Sequence, residues 1–277
     1  MPLNLLCHIN ADGDLLEAWL KHYLRLGVER FRLVVRGPPE ENRRLLELKD
    51  RYPVVIEDTY EGPFESEQKK NRLDAILRRT PDQWVLVVDS DEFVEFPYGD
   101  IPETIRKLEY AHANVMIAPM LQRMKVDGTL DSPVVIDDPF AMFPLCSEDL
   151  YQRMGSDACL RKCPLFFCNK NTQLLEEGNH SPPVGAKART SAMLGVTHHF
   201  KFRQSLLQRL DEWINSDHAF RHESVRLDEY LEKHSKRLPL EGTFAYSREE
   251  LFRRGLLKKL SLRNHLKSVG RSAFRLV

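Results

Sequence analysis

The chain reads as an α/β protein with a mainly parallel sheet flanked by helices, and three observations predict this. Strand-like and helix-like patterns alternate from the first residues to about residue 93, the signature of a parallel sheet. One strand pattern, Trp84 to Val88, is apolar and Val-rich without alternation, as expected where both faces are covered. That run ends in Asp89, Asp91 and Glu92, at the carboxyl end of a strand, where α/β sheets bind ligands.

Leu3 to Ile9 reads as a first buried strand. Asn10-Ala11-Asp12-Gly13-Asp14 is a turn with helix-capping residues. Leu15, Leu16, Trp19, Leu20, Tyr23, Leu24 and Leu26 then recur at helical spacing, closed by Gly27. Strands over Phe31 to Val35 and Val54 to Ile56 enclose a helix over Glu40 to Arg51. A helix over Glu65 to Arg79 precedes the Trp84 strand. Four strands and three helices in alternation make a Rossmann-like half, residues 1–95.

Beyond that point the alternation is absent. Val115 to Pro119 reads as a strand and 120–160 as a loop-rich region. Leu165-Phe166-Phe167 and Thr172 to Leu175 are expected to pair as a hairpin. Met193 to Phe202 reads as a strand, followed by helices at 204–213, 227–234 and 248–257. The expected division is a catalytic domain over 1–203, with halves 1–95 and 96–203, and a helical C-terminal extension over 204–277.

Composition bounds the function. The 277 residues are 42% hydrophobic and 30% charged, a folded rather than disordered balance. The formal net charge of +0 argues against a general nucleic-acid binder. No apolar run reaches the ~20 residues of a membrane span. The N-terminus lacks the basic and small-residue features of a signal peptide. Cys7, Cys146, Cys159, Cys163 and Cys168 are odd in number and irregular in spacing, which favours buried thiols in a reducing compartment over disulfides or zinc. A cytoplasmic protein is expected. No acidic residue follows Glu250, and the basic stretch there, with its leucines, reads as a membrane-surface helix, a packed helix or a tail.

Crowding Asp89, Asp91 and Glu92 costs energy unless positive charge sits among them. The Asp-x-Asp spacing suits Mn²⁺ or Mg²⁺ bridging carboxylates and a diphosphate, with Asp91 and Asp89 as ligands. Glu92 is expected to stabilise the following turn. Lys69, Lys70, Arg72, Lys162 and Arg203 are candidates to neutralise a diphosphate, with solvated charge as the alternative for each.

The N-terminal third resembles family 2 and related inverting glycosyltransferases of the GT-A fold. The resemblance rests on His8-Ile9-Asn10, on Leu16-Glu17-Ala18-Trp19-Leu20 with Tyr23 and Leu26-Gly27-Val28, and on Lys69-Lys70-Asn71-Arg72. Asp89-Ser90-Asp91-Glu92-Phe93 is similar to the metal motif of one subgroup, and His198-His199-Phe200-Lys201-Phe202-Arg203 to its His-aromatic-Lys-Phe-Arg signature. The match covers roughly 5–95 well and 160–205 loosely. It implies a GT-A sheet, a nucleotide-sugar donor and transfer to a hydroxyl on a glycan, a lipid-linked group or a protein. It further implies donor contacts at Asn10, Asp12, Lys70, Asn71 and Asp89, and a metal site completed by His199, with His198 competing. Two departures concern the nucleotide: Ala11 follows Asn10 where an acid is usual, and Arg36 ends the second strand.

An inverting transfer needs a base for the acceptor proton. Asp149, opening a short helix after Ser147-Glu148, has the expected order, and Asp157 is the alternative; helix capping is the competing role. His180, in a Gly-Asn-His-Ser-Pro-Pro turn, is either loop chemistry or an acceptor or phosphate contact, as are Lys162 and Arg203. Two other readings stand beside the transferase: a nucleotidyltransferase, disfavoured by a first turn holding one glycine and two acids, and a non-catalytic binding relic of the fold.

Overall fold

A computed structural model describes residues 2–10, 13–155, 161–174, 178–183, 195–215 and 221–257. The first half builds β1 (Asn4–Asn10), α1 (Leu16–Arg25), β2 (Arg30–Arg36), α2 (Arg43–Leu48), β3 (Val54–Tyr60), α3 (Ser66–Leu77) and β4 (Gln83–Val87). Then come β5 (Glu92–Glu95), α4 (Ile101–Tyr110), β6 (Val115–Met124), α5 (Pro139–Met142), β7 (Leu145–Ser147), α6 (Leu150–Arg153), β8 (Arg161–Cys168) and β9 (Val196–His199). The described chain closes with α7 (Ser205–Asn215), α8 (Arg221–Lys233), β10 (Phe244–Ala245) and α9 (Arg248–Arg253).

The sheet order is β10-β7-β6-β8-β4-β1-β2-β3, with β9 beside β6 and β5 beside β9. Strands β3, β2, β1 and β4 run parallel. Strand β8 is antiparallel to both β4 and β6. The result is a mixed α/β sheet whose N-terminal half is parallel, the fold class read from the sequence.

The uninterrupted apolar runs have a packing reason. In β1, Leu5, Cys7 and Ile9 join one buried cluster with Trp19, Leu20 and Tyr23 of α1, while Leu6 joins another with Leu73, Ile76 and Leu77 of α3. Strand β4 divides likewise, Trp84 and Leu86 to one side, Val85 and Val87 to the other. Helices on both faces leave no solvent side for polar alternation.

Several elements differ from expectation. Strand β3 runs on through Glu57, Asp58 and Thr59. It is an edge strand, and Arg32, Arg72 and Arg79 pair its acids. Strand β6 reaches Met124, through polar Gln122 and Arg123, both buried. Among the described residues the expected hairpin after Phe167 does not form from β8, whose two edges are taken by β4 and β6; Leu174 instead donates its N–H to Asp74 at 2.8 Å, and Leu175 lies outside the described residues. Helix α4 was not expected, although its signal was present: Asp100 caps it by accepting from Glu103 N–H at 2.7 Å, and Pro102 stands in its first turn. Gly27, at φ +99°, makes that packing possible, since a Cβ there would lie 3.1 Å from Pro102 Cδ.

Helices α7 and α8 pack on the rest of the fold. Leu206 and Leu210 of α7 and Leu227 and Leu231 of α8 share a buried cluster with Met124, Leu150, Tyr151 and Phe202. Cys7, Cys146, Cys163 and Cys168 are buried, and none of them is in a disulfide among the described residues. Among the described residues no helix is long and apolar enough to cross a membrane. The basic stretch from Lys258 onward lies outside the described residues.

Helix α1 clamps the start of β5. Tyr23 donates its hydroxyl to Glu92 O at 2.9 Å and accepts from Val94 N–H at 3.1 Å. Tyr23→Phe leaves both buried backbone groups unpaired, so denaturant unfolding should show a loss of about 1–3 kcal/mol. A change below about 0.5 kcal/mol would show that this clamp is not holding the turn.

Candidate active site

The carboxyl ends of β1, β2, β3 and β4 meet at one edge of the sheet, where the chain leaves β4 into Asp89-Ser90-Asp91-Glu92. The turn is braced from within and without. Glu92 N–H donates to Asp89 O at 3.1 Å, and the Glu92 carboxylate accepts from Asp89 N–H at 3.2 Å. Trp19 Nε1 donates to Asp89 O at 3.2 Å. Phe200 N–H donates to Asp91 O at 2.8 Å, tying the turn to the end of β9.

Positive charge comes from four other segments. Lys69 of α3 meets Asp89 Oδ1 at 2.6 Å. Lys162 of β8 meets Glu92 Oε1 at 2.6 Å and Asp89 Oδ2 at 3.4 Å, and donates to Gly178 O at 2.5 Å. Arg203, after β9, and Arg209 of α7 approach Asp91 Oδ2 at 3.7 and 3.6 Å. His199 Nε2 lies 3.5 Å from Asp91 Oδ1. Arg203 is wholly buried, binding Asp14 at 2.6 Å and donating to Phe200 O at 2.5 Å.

These neighbours decide the protonation states. Burial works to raise the Asp89 carboxyl, but Lys69 and Lys162 outweigh it and hold it well below the usual range. Burial opposes ionisation of Asp91 too, yet His199, Arg209 and Arg203 keep it low. Glu92 goes the other way: its enclosure, helped by Asp89, raises its carboxyl despite Lys162. Lys201, buried between the rings of Tyr151 and Trp213 at 5.2 Å from each, is pushed down to about 8 by burial and then by Arg209.

The expected donor residues are partly assembled. Asp89 and Asp91 share the turn. Asn10 Oδ1 accepts from Arg36 Nε at 2.7 Å, and Arg36 also reaches Gly62 O at 2.8 Å and Glu212 of α7 at 2.7 Å. Arg36 thus ties β2 to the helix carrying Arg209. Lys70 points back to Asp74 at 3.4 Å, Asn71 is exposed, and Lys69 is the lysine that enters the site. His8 contacts the Tyr60 hydroxyl at 2.8 Å and is pushed down to about 3 by burial, then by Lys69, so it is neutral. Asp12 and Asp157 lie outside the described residues.

The two histidines of the signature face opposite sides of their strand. His199 meets Asp91, whereas His198 packs against Phe140 and Tyr246 and sits near Glu95 at 3.6 Å. Burial pushes His198 down to about 4. His180 turns its ring to Arg161 O at 2.9 Å, and its segment pairs with β8 through Cys163 N–H to Asn179 O at 2.8 Å. Asp149 stands at the N-cap position of α6, where its side chain makes no capping bond; it is bound instead by Arg153 and by Ser147 Oγ, the latter at 3.0 Å, and Arg153 first, against partial burial, holds its carboxyl low.

Sequence reasoning did not find Arg209. A usable signal existed: Arg209 borders the apolar stripe of Leu206 and Leu210 on a helix that begins two residues after Arg203. Among the described residues, no group of three or more His, Cys, Asp and Glu side chains gathers as a ready metal cage. Asp91 with His199 is the closest approach to one, and His199 Nδ1 is buried without a hydrogen-bond partner.

No family model matches this chain, and no curated protein matches it. Among solved structures it is similar to S. aureus TarS 1-349 in complex with UDP-GlcNAc, at 13% identity and TM-score 0.36, over 95% of this chain and 77% of that one. It is also similar to a CMP:2-keto-3-deoxy-manno-octonic acid synthetase complexed with CTP, at 11% identity and TM-score 0.32, over 85% and 86%. A third is a 4-diphosphocytidyl-2C-methyl-D-erythritol synthase, at 17% identity and TM-score 0.29, over 44% and 63%.

The acid response of the fold follows from the turn. Asp89 and Asp91 sit below their unfolded values, so each adds stability that is present above about pH 4 and lost as pH falls through the folded value. Glu92, raised, adds stability that is fully present below about pH 4 and is lost as pH rises, so it does not oppose the aspartates below that pH. Melting between about pH 4 and pH 2 should show Tm falling toward acid. Asp91→Asn should flatten that fall; an unchanged slope would remove Asp91 from the titrating set.

Proposed function

We propose that this protein is a glycosyltransferase that moves a sugar from a nucleotide-diphosphate donor to an acceptor hydroxyl, with inversion. The observation that carries the reading is the acidic turn at the end of β4, interleaved with Lys69, Lys162, Arg203 and Arg209. A diphosphate leaving group gains negative charge as the glycosidic bond breaks, and fixed cations in a buried site stabilise it without reorganising. Carboxylates in the same place suit a divalent cation.

The residues fit such a cation in one way. Asp91 and His199 offer one carboxylate oxygen and one imidazole nitrogen, the sparse protein share of a Mn²⁺ or Mg²⁺ otherwise held by substrate phosphates. Bound there, it would act as a Lewis acid on the diphosphate. Asp89, with Lys69 and Lys162 on its two oxygens, would orient the turn and add to donor binding. Arg203 and Arg209 would exchange part of their attraction to Asp91 for phosphate oxygens. His180 and the Asn179 turn would steady Lys162 rather than touch substrate.

Asp149 remains the proposed acceptor for the proton, with Asp157 as its alternative. An arginine-paired carboxylate is a weak base, so Asp149 would have to trade Arg153 for the acceptor hydroxyl. The acceptor is a glycan, a lipid-linked group or a protein.

The test is calorimetry and donor hydrolysis with nucleotide-sugars bearing UDP, GDP, dTDP and CMP, in Mn²⁺ and in EDTA. One conjugate should bind and turn over slowly. Asp91→Ala should cut its affinity by about a hundredfold in Mn²⁺, and Arg209→Met by about tenfold, as expected for lost charge-assisted contacts. Equal binding by wild type and Asp91→Ala would sink the assignment. Release of pyrophosphate from a nucleotide triphosphate and a sugar phosphate would favour a nucleotidyltransferase instead.

A further inference from the structure

The sheet carries a polar row that runs on from the acidic turn to residues the diphosphate chemistry does not use. Glu92 of β5 pairs in register with His199 of β9, His199 with Gln122 of β6, and Gln122 with Ser147 of β7. Residues paired in register point to the same face of a sheet, so these four side chains form one line across four strands. The line starts at the acidic turn, where Glu92 meets Lys162 and His199 meets Asp91. It ends at Ser147, whose hydroxyl joins Asp149 and Arg153, each at 3.0 Å.

Gln122 is the anomaly in that line. It is 1% exposed, yet among the described residues neither its Nε2 nor its Oε1 has a hydrogen-bond partner. Turning the amide over changes nothing, because both ends are unpaired. Met120 and Met124, two residues away on the same face, keep the apolar pattern that Gln122 breaks. Two further buried atoms on this face lack partners as well: Thr197 Oγ1, on the strand beside Gln122, and His199 Nδ1. A buried amide left unpaired is destabilising, and native proteins hold few of them. Three such side chains on one face, Gln122, Thr197 and His199, adjoin the acidic turn and lack bonds that a ligand entering there would supply.

We infer that Gln122 is a specificity-determining residue that reads the sugar ring of the donor, with Thr197 beside it. This rests on the glycosyltransferase reading. A carboxamide offers one acceptor and two donors in a plane. It therefore matches two neighbouring hydroxyls on a pyranose, one donating and one accepting. A site built to pair such hydroxyls rejects a ring that lacks or inverts one, because its own buried groups are then left unpaired. The position along the row, between His199 and the Ser147–Asp149 end, puts this contact between the diphosphate and the proposed base.

The experiment measures affinity and hydrolysis for epimeric and deoxy sugars on one nucleotide, with glucose, galactose, mannose and N-acetylglucosamine conjugates, for wild type, Gln122→Met and Gln122→Leu. Melting temperatures are recorded alongside. Wild type should distinguish the conjugates by about tenfold or more, the scale of one buried hydrogen-bonded pair. Both variants should lose that discrimination, keep the affinity for the free nucleotide diphosphate, and melt higher because an unpaired amide has gone. Undiminished discrimination in either variant overturns the inference, and so does a lower melting temperature in both, which would mean that the amide was satisfied within the fold. Nucleotide binding by wild type with no sugar preference overturns this inference alone. Binding of no nucleotide overturns the glycosyltransferase reading and this inference with it.

Discussion

The structure turns on the neutralisation of three adjacent carboxylates at the end of a buried strand. Without Lys69 and Lys162 on one side and Arg203, Arg209 and His199 on the other, Asp89, Asp91 and Glu92 would repel one another in a poorly solvated place. Much of the architecture delivers those partners. Strand β8 enters antiparallel between β4 and β6, which brings Lys162 to Glu92. Strand β9 pairs with β5, which brings His199 to Asp91. Helix α7 folds back across the edge of the sheet, held by Arg36 and Glu212. The apolar clusters supply the driving force for collapse, and the charge pairing selects this arrangement of strands over other compact ones.

A site balanced by protein cations is compatible with the metal expected from Asp-x-Asp, but it shares the work differently. The expectation came from requiring positive charge among the acids and supplying it with one ion. The chain supplies much of it with its own side chains, and a cation would then serve the substrate's phosphates more than the protein's stability. The low carboxyls of Asp89 and Asp91 and the raised one of Glu92 are the signature of that division.

The legible parts of the sequence were those fixed by local pattern. Strands β1, β2 and β4 and helices α1 and α3 are plain because each is buried on one or both faces over its whole length. Helix α4 was readable from Asp100-Ile101-Pro102-Glu103 and was overlooked. Strand β5 and the far end of β6 were not readable, since Glu92, Glu95, Gln122 and Arg123 are polar residues made tolerable in strands by partners distant in sequence. The same limit applies to the site. Asp89 and Asp91 stand out as a cluster, whereas Lys69 over Lys70, and His199 over His198, are chosen by which way a helix or strand turns once packed.

The Arg203–Asp14 bond joins residues 189 apart in sequence, and Arg36–Glu212 joins residues 176 apart. The acidic turn is complete in the chain long before most of its counter-charges are. A growing polypeptide that has emerged only through β6 holds Lys69 but lacks Lys162, His199, Arg203 and Arg209. The loop-closure entropy of the longest contacts must therefore be met before the turn becomes favourable. The charge balance of the acidic turn is completed late, by Lys162 and then by residues from the final third of the chain. A shortened chain ending before α7 would lose part of the electrical balance of its first half along with a helix.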